Sequence, residues 1–283
     1  MSDVAGDRRF GLAGKRTLIT GGTAGIGRAV AERFVDVGAS VVISGRRTDG
    51  VAVAEEVGAE FIAADVSIET EVAALFSATV ERLGGLDVVV LNAGIDPGMA
   101  PIADYGDDAF ERNLDVNLRH VWWSLVQVNA YLADGGSIIT TSSTTAIYKV
   151  PNVSAYAAIK EAVVSLTKSA ALELAPRGIR ANSVLPGTTL SEMTPDDHWE
   201  IPVMETMLPL GRHATAERDL VGLYQFLASD ESSYITGQAI AADGGMTLGM
   251  SYGTLRALGA PAEVMSPPDG GLHETKPWSG GQQ

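Results

Sequence analysis

Tyr156 and Lys160 stand four residues apart in the run Ser-Ala-Tyr-Ala-Ala-Ile-Lys, so on a helix they project from one face, one turn from each other. That places an ammonium beside a phenol. A free phenol, with a pKa of about 10, is a poor base at neutral pH, and proton-transfer catalysis works best when pKa and pH are close. A neighbouring cation favours the phenolate. At about 4 Å and an effective dielectric of about 20 the attraction is about 4 kcal/mol, or at most about three pKa units. The pair is therefore expected to bring Tyr156 near neutrality. The ordinary alternative is an amphipathic helix with a half-buried tyrosine and a solvated lysine. The elements around the pair decide between them.

Just upstream, the apolar run Ser137-Ile138-Ile139-Thr140-Thr141 reads as a strand ending in Ser142 and Ser143. Far upstream, Lys15 to Thr20 reads as a short buried strand, followed by Gly21-Gly22-Thr23-Ala24-Gly25-Ile26-Gly27 and a helix from Arg28 to Val37. A glycine-rich turn between a first strand and a first helix lets backbone N–H groups approach a pyrophosphate, because no Cβ blocks the way. The next strand, Ser40 to Ser44, ends at Gly45-Arg46-Arg47, where a dinucleotide fold places the reader of the adenosine ribose. An acidic residue there would repel a 2′-phosphate. Arg46 instead offers a planar fork that pairs with phosphate, which favours NADP(H) and leaves NAD(H) possible.

A third strand, Glu60 to Ala64, leads into Asp65-Val66, whose carboxylate could cap a helix beginning near Ile68 or meet the adenine amine. A fourth, Leu86 to Leu91, is too continuously apolar for a sheet with one wet face and runs into Asn92-Ala93-Gly94. A long helix is expected from about Asp107 to Leu132, with Asn117 set among Val116, Leu118 and Val121 and so in need of buried partners. A sixth strand, Ile179 to Leu185, ends in Pro186-Gly187; residues 188–212 lack strand periodicity; a helix from Ala216 to Ala228 and a strand from Gln238 to Ala241 close the pattern. Alternating strands and helices imply an α/β, doubly wound parallel sheet of about seven strands, with helices on both faces and ligands at the carboxyl ends of the strands.

Composition narrows the chemistry. With 283 residues and 46% hydrophobic content the chain can bury one large core, and its net charge of −15 argues against nucleic acid or anionic membrane as partner. It has no cysteine, which removes disulfides, thiolates and cysteine-bound metals, and its four histidines are scattered. Neither a signal peptide nor a spanning run is visible, so a cytoplasmic location is expected.

From about residue 14 to 245 these motifs, in this order, resemble the short-chain dehydrogenase/reductase family. The resemblance implies a dinucleotide-binding catalytic domain over 14–245, a polar leader over 1–13, a substrate-loop segment over 188–212 and a C-terminal tail over 246–283. The family's glycine motif falls on Thr20, Gly21, Gly25 and Gly27, with Thr23 and Ile26 in the same turn, and its Asn-Ala-Gly on Asn92, Ala93 and Gly94. Its tetrad falls on Asn117, Ser143, Tyr156 and Lys160; Ser143 is chosen over Ser142 because it lies thirteen residues before the tyrosine. Beyond Pro186 and Gly187, Ser191 stands where the family has a threonine at the nicotinamide carboxamide, and Thr189 where it has an aliphatic residue.

The implied activity is hydride transfer between NADP(H) and a carbonyl or secondary alcohol. Tyr156 exchanges the proton, Ser143 bonds the same substrate oxygen, Lys160 lowers the tyrosine pKa and holds the nicotinamide ribose, and Asn117 holds a relay water. An NAD-dependent alcohol dehydrogenase is the alternative within enzymes, and a non-catalytic dinucleotide-binding subunit the alternative outside them. Ile95, Ile147, Tyr148 and Trp199, with the Met193 to Met207 segment, are expected to wall a pocket for a small, partly apolar substrate. A homotetramer or dimer built on the helices of Asn117 and Tyr156 is implied, with Val163, Val164, Leu166 and Leu172 open to core or interface.

Overall fold

The computed structural model describes residues 10–96, 98–191 and 200–261. Most of the leader, Trp199 and the end of the tail lie outside the described residues. Strands β1 (Arg16–Thr20), β2 (Ser40–Gly45), β3 (Glu60–Ala63), β4 (Val88–Leu91), β5 (Ser137–Thr141) and β6 (Arg180–Pro186) follow the expected order. The pair β7 (Thr189–Leu190) and β8 (Ala214–Thr215) forms a separate small ribbon, and β9 (Ala239–Ala242) ends the series. The main sheet runs β3-β2-β1-β4-β5-β6-β9 and is parallel throughout. Its order reverses between β1 and β4, which opens a cleft at their carboxyl ends.

Both faces of the sheet are covered, as the fully buried β4 and β6 require. On one face α1 (Gly25–Asp36), α2 (Gly50–Val57) and α8 (Val221–Ala228) pack Phe34, Val53, Tyr224 and Leu227 against Ile19, Ile43 and Val90. On the other, α3 (Glu69–Leu83), α5 (His120–Tyr131) and α6 (Ser154–Leu174) bring Phe76, Val121, Val128 and Val163 against Leu18, Val89 and Ile138. Val163 and Val164 thus belong to the core, whereas Leu172 is 79% exposed.

Three helices carry no clear signal in the sequence. These are α2, α7 (Glu200–Met207) and, in the tail, α9 (Tyr252–Ala257), whose Thr254 hydroxyl donates to the Thr206 carbonyl at the end of α7. The long helix expected from Asp107 is three pieces: α4 (Asp107–Leu114), a π-helical turn Asp115–Arg119, and α5. A π turn inserts one residue into the helical ladder and is common at functional sites. Here it keeps Asn113, Val116, Asn117 and His120 all buried. Among the described residues no helix is long and apolar enough to cross a membrane.

Candidate active site

The glycine turn closes on the end of β4. A Cβ at Gly27 would lie 2.2 Å from the Gly21 carbonyl oxygen and 2.5 Å from Asn92 Nδ2, so only glycine fits. Asn92 locks this corner by donating through Nδ2 to the carbonyls of Thr20 and Gly21 at 3.3 and 3.2 Å. The N–H groups of Asn92 and Ala93 both donate to Thr20 Oγ1, at 3.0 and 3.1 Å. That leaves the threonine proton for His120 Nε2, 3.1 Å away, and His120 Nδ1 then donates to the Val116 carbonyl. Burial drives the His120 pKa down to about 4, with the bond to Val116 opposing and the Lys160 charge adding to the fall. His120 is therefore a neutral strut between the π turn and the glycine loop.

At the start of α1 the N-cap residue Ala24 provides no side-chain cap, and the first turn holds no acidic residue. A dinucleotide pyrophosphate fits such an end, because the bare N–H groups and the helix dipole both favour an anion. Ser191 closes the other side, its Cβ 3.7 Å from where a Gly25 Cβ would stand. Pro186 ends β6, the Gly187 N–H donates to the Ala242 carbonyl, and Thr189 turns its hydroxyl back onto the Gly187 carbonyl at 3.0 Å.

At the ends of β2 and β3, Thr23 packs against Gly45, and Arg46 faces Asp65 with Nη1 3.6 Å from Oδ2. Asp65 does not cap α3. Its Oδ1 accepts from the N–H and hydroxyl of Ser67 at 3.0 and 2.7 Å, a local turn that directs the carboxylate at Arg46 instead. Partial burial pushes this carboxyl up, but the Ser67 bonds and the Arg46 charge win and hold it below its ordinary value. A cavity of about 230 Å³ is lined by Arg46, Ser67, Ile95, Arg112, Asp115 and Val116.

The polar cluster lies at the ends of β4 and β5. Asn117 donates through Nδ2 to the Ile95 carbonyl (2.9 Å) and to Asn113 Oδ1 (2.8 Å), and its Oδ1 accepts the Ile95 N–H (3.2 Å). Its amide is thus satisfied inside the protein. A Cβ at Gly94 would sit 2.8 Å from Asn117 Oδ1 and 3.4 Å from Lys160 Nζ, so the backbone there is kept bare by both groups. Lys160 donates to the Thr141 carbonyl at 3.2 Å and its ammonium is 5.5 Å from the centre of the Tyr156 ring. Ser143 is the serine bonded to the Tyr156 phenol, while Ser142 turns its hydroxyl onto the Lys160 carbonyl at 2.7 Å. Ile147 is exposed and Tyr148 half-buried beside this cluster.

The charges do not balance as the tyrosine–lysine spacing suggests. Burial pushes the Tyr156 pKa up to about 12, the Asp96 carboxylate adds to the rise, and only the Ser143 bond opposes it. Burial also lowers the Lys160 pKa to about 8. Burial and the Asp96 charge hold the phenol above its ordinary value and burial holds the lysine below its own, so Tyr156 is not brought near neutrality. Asn113, His120 and Asp96 are among the polar residues of this region that the motifs do not mark. Asn113 and His120 could have been suspected from their spacing of four and three residues around Asn117 on one helix.

A family model described as enoyl-(acyl carrier protein) reductase matches residues 21–247. The L-rhamnose 1-dehydrogenase (NAD(P)+) of Sphingomonas sp. is 41% identical over 249 residues, 83% of this chain and 97% of the relative. The glucose 1-dehydrogenase of Gluconobacter oxydans is 36% identical over 250 residues, 84% of this chain and 93% of the relative. A short-chain dehydrogenase from Burkholderia cenocepacia, solved in complex with NADP, superimposes with a TM-score of 0.80 at 33% identity, covering 83% of this chain and 98% of the other. The chain belongs to the short-chain dehydrogenase/reductase family. Within it, the relatives' activities make this protein an NAD(P)-dependent oxidoreductase rather than a non-catalytic subunit.

Proposed function

We propose that the protein reduces a carbonyl to a secondary alcohol with NADPH, and runs the reverse oxidation with NADP+. The observation that carries this reading is the meeting of Ser143, Tyr156, Lys160 and Asn117 in one cluster beside the glycine turn. A phenol with its pKa pushed up to about 12 is protonated at neutral pH, the form a donor needs, but it is a weak acid and its transfer depends on a group that favours the anion. When bound, the nicotinamide supplies the hydride for the carbonyl carbon. Tyr156 delivers the proton to the oxygen, and Ser143 donates a hydrogen bond to that oxygen as negative charge develops on it. Lys160 holds the nicotinamide ribose hydroxyls and biases the phenol toward its anion during transfer. Asn117, itself held by Ile95 and Asn113, fixes the backbone beside Lys160 and leads a proton relay to solvent.

Gly21, Thr23, Gly25, Ile26 and Gly27 hold the pyrophosphate; Asp65, Val66, Asn92, Ala93 and Gly94 flank the adenosine and ribose; Pro186, Gly187, Thr189 and Ser191 meet the carboxamide. Arg46 reads the 2′-phosphate, since Gly45 offers no carboxylate against it. The NADP named with the Burkholderia structure supports that choice. A second reading, NAD(H), is favoured by the Asp65 carboxylate 3.6 Å from the Arg46 guanidinium, which offsets its charge. NADPH and NADH titrations by nicotinamide fluorescence, followed by turnover on carbonyl compounds, separate the two. NADH preference would move the assignment to the NAD-dependent dehydrogenase. The sugar dehydrogenases among the relatives make free sugars and their ketone counterparts the first substrates to try. A cytoplasmic homo-oligomer belongs to the same reading, with exposed Trp122, Val126 and Leu172 as its contact face.

A further inference from the structure

Lys149 lies at the surface, yet its ammonium is fully engaged. The side chain is 53% exposed, and its three protons meet three acceptors: the Ala146 carbonyl and Glu161 Oε2, each at 2.7 Å, and the Thr145 carbonyl at 3.0 Å. A lysine that only solubilises a surface points its ammonium into water. This one closes the end of the turn Thr144–Ala146, which starts from Ser143, and ties it to α6 at the residue after Lys160.

The loop between β5 and α6 is thus fastened to α6 at two consecutive residues. At its near end the buried Ser142 hydroxyl donates to the Lys160 carbonyl at 2.7 Å, and at its far end Lys149 grips Glu161 at the surface. Ser143 stands inside that span. Its Oγ accepts the Thr145 N–H at 3.2 Å, and its carbonyl accepts the Ala146 N–H at 3.0 Å. The Thr145 bond occupies a lone pair of the serine and leaves its proton for the Tyr156 phenol. The place and direction of the Ser143 hydroxyl therefore follow the tilt of this one turn, two of whose carbonyls Lys149 holds. An exposed ion pair adds little to stability. A group that aims reacting atoms weighs far more on rate, because a misplacement of about 1 Å costs about a hundredfold.

We infer that Lys149 is a positioning residue for proton transfer: with Glu161 as its anchor on α6, it sets the distance and angle of the Ser143 hydroxyl to Tyr156. This rests on the reading of Ser143 and Tyr156 as the pair that meets the substrate oxygen, and adds to it a surface clasp outside the tetrad. The clasp joins the two segments that carry that pair, so its loss lets them part without unfolding either.

The test combines Lys149→Met, which keeps the length of the stem, with Ser143→Ala. Turnover is followed on whichever compound the wild type uses fastest among cyclohexanone, acetophenone and dihydroxyacetone, reduced with NADPH or NADH, and L-rhamnose and D-glucose, oxidised with NADP+ or NAD+. Alone, Lys149→Met is expected to lower kcat about tenfold or more, with KM and the cofactor titration within about threefold of wild type. In the Ser143→Ala background, itself down about a hundredfold, the same substitution is expected to change kcat by less than about twofold, because the group it places is gone. Equal losses in both backgrounds, or a wild-type kcat in Lys149→Met, would overturn the inference and leave the reaction reading standing. Hydrogen exchange reads the clasp without turnover. The amides of Ala146, Ile147 and Tyr148 are expected to exchange about tenfold faster in Lys149→Met while those of α6 beyond Glu161 keep their rates, and unchanged exchange in the turn would also overturn it. Full turnover in Ser143→Ala, or none by the wild type on any member, would overturn the reaction reading and the positioning role together.

Discussion

At the end of the cleft formed by β2 and β3, Arg46 and Asp65 stand 3.6 Å apart with 63% and 27% of their side-chain surface exposed. At the end formed by β4, β5 and α6, Lys160 keeps only 4% exposure and Asn117 1%. The first pair is wet, so its mutual attraction is screened and each partner is cheap to exchange. The second group is dry, so each charge is costly and each hydrogen bond has to be met inside the protein. Within one cleft, cofactor choice therefore rests on replaceable charges and proton transfer on a network that resists change.

The sharpest way to break this contrast is Tyr156→Phe. Removal of the phenol hydroxyl is expected to cut turnover about a thousandfold or more while the cofactor titration stays within about threefold of wild type. Near-normal turnover would mean that the dry cluster is not the proton-transfer site.

Next in size is the acid sensitivity of the dry region. His120 has its folded pKa lowered to about 4, below the unfolded value of about 6.5, so the unfolded chain binds more protons between them. Stability is full above about pH 6.5 and falls as the pH drops toward 4, by about 3 kcal/mol from this group. Denaturant curves of wild type and His120→Asn over that window should converge as the pH falls. Parallel curves would show that His120 is not held neutral.

At the wet end, Arg46→Asp is expected to lower the NADPH-to-NADH ratio of kcat/KM about ten- to hundredfold with little change in unfolding midpoint. An unchanged ratio would remove Arg46 as the phosphate reader. A last variant sharpens the contrast from the opposite side, through a modest gain in stability. Lys160→Met deletes a buried charge whose pKa is lowered to about 8, and is expected to raise stability at pH 7 by about 1–2 kcal/mol while abolishing turnover. Wild-type stability should itself rise between about pH 8 and 10.4, where the unfolded lysine still binds a proton, and the variant should lack that rise.

The strands and the glycine turn are legible in the sequence because their signals are local: continuous apolar runs such as Val88 to Leu91, and glycines between strand and helix. The spacing of Tyr156 and Lys160 carries the dry cluster for the same reason. The helix α2 is not legible, since it opens on the weak helix formers Gly50 and Val51, Asp49 makes no side-chain cap bond, and its apolar face is set by packing Val53 and Val57 on the sheet. Asp65 reads as a possible cap because its sequence neighbours suit capping; Ser67 and Arg46, joined to it by the fold, redirect it. The Tyr156 pKa is not legible either, because spacing reports which charges are near and says nothing of how much water is left.

The π turn Asp115–Arg119 also bears on how this chain can vary. Helices rephase only in whole residues, each step turning the rest of the helix by about 100°. Excision of one residue from the turn would let α4 and α5 fuse into a continuous α-helix, but either Asn113 or His120 would swing off the buried side. The amide that steadies Asn117 and the imidazole that steadies Thr20 are thus tied to a fixed residue count. Insertions and deletions are expected to be tolerated in the exposed Ile102–Asp104 stretch just before α4 and barred a few turns later, between Asn113 and His120.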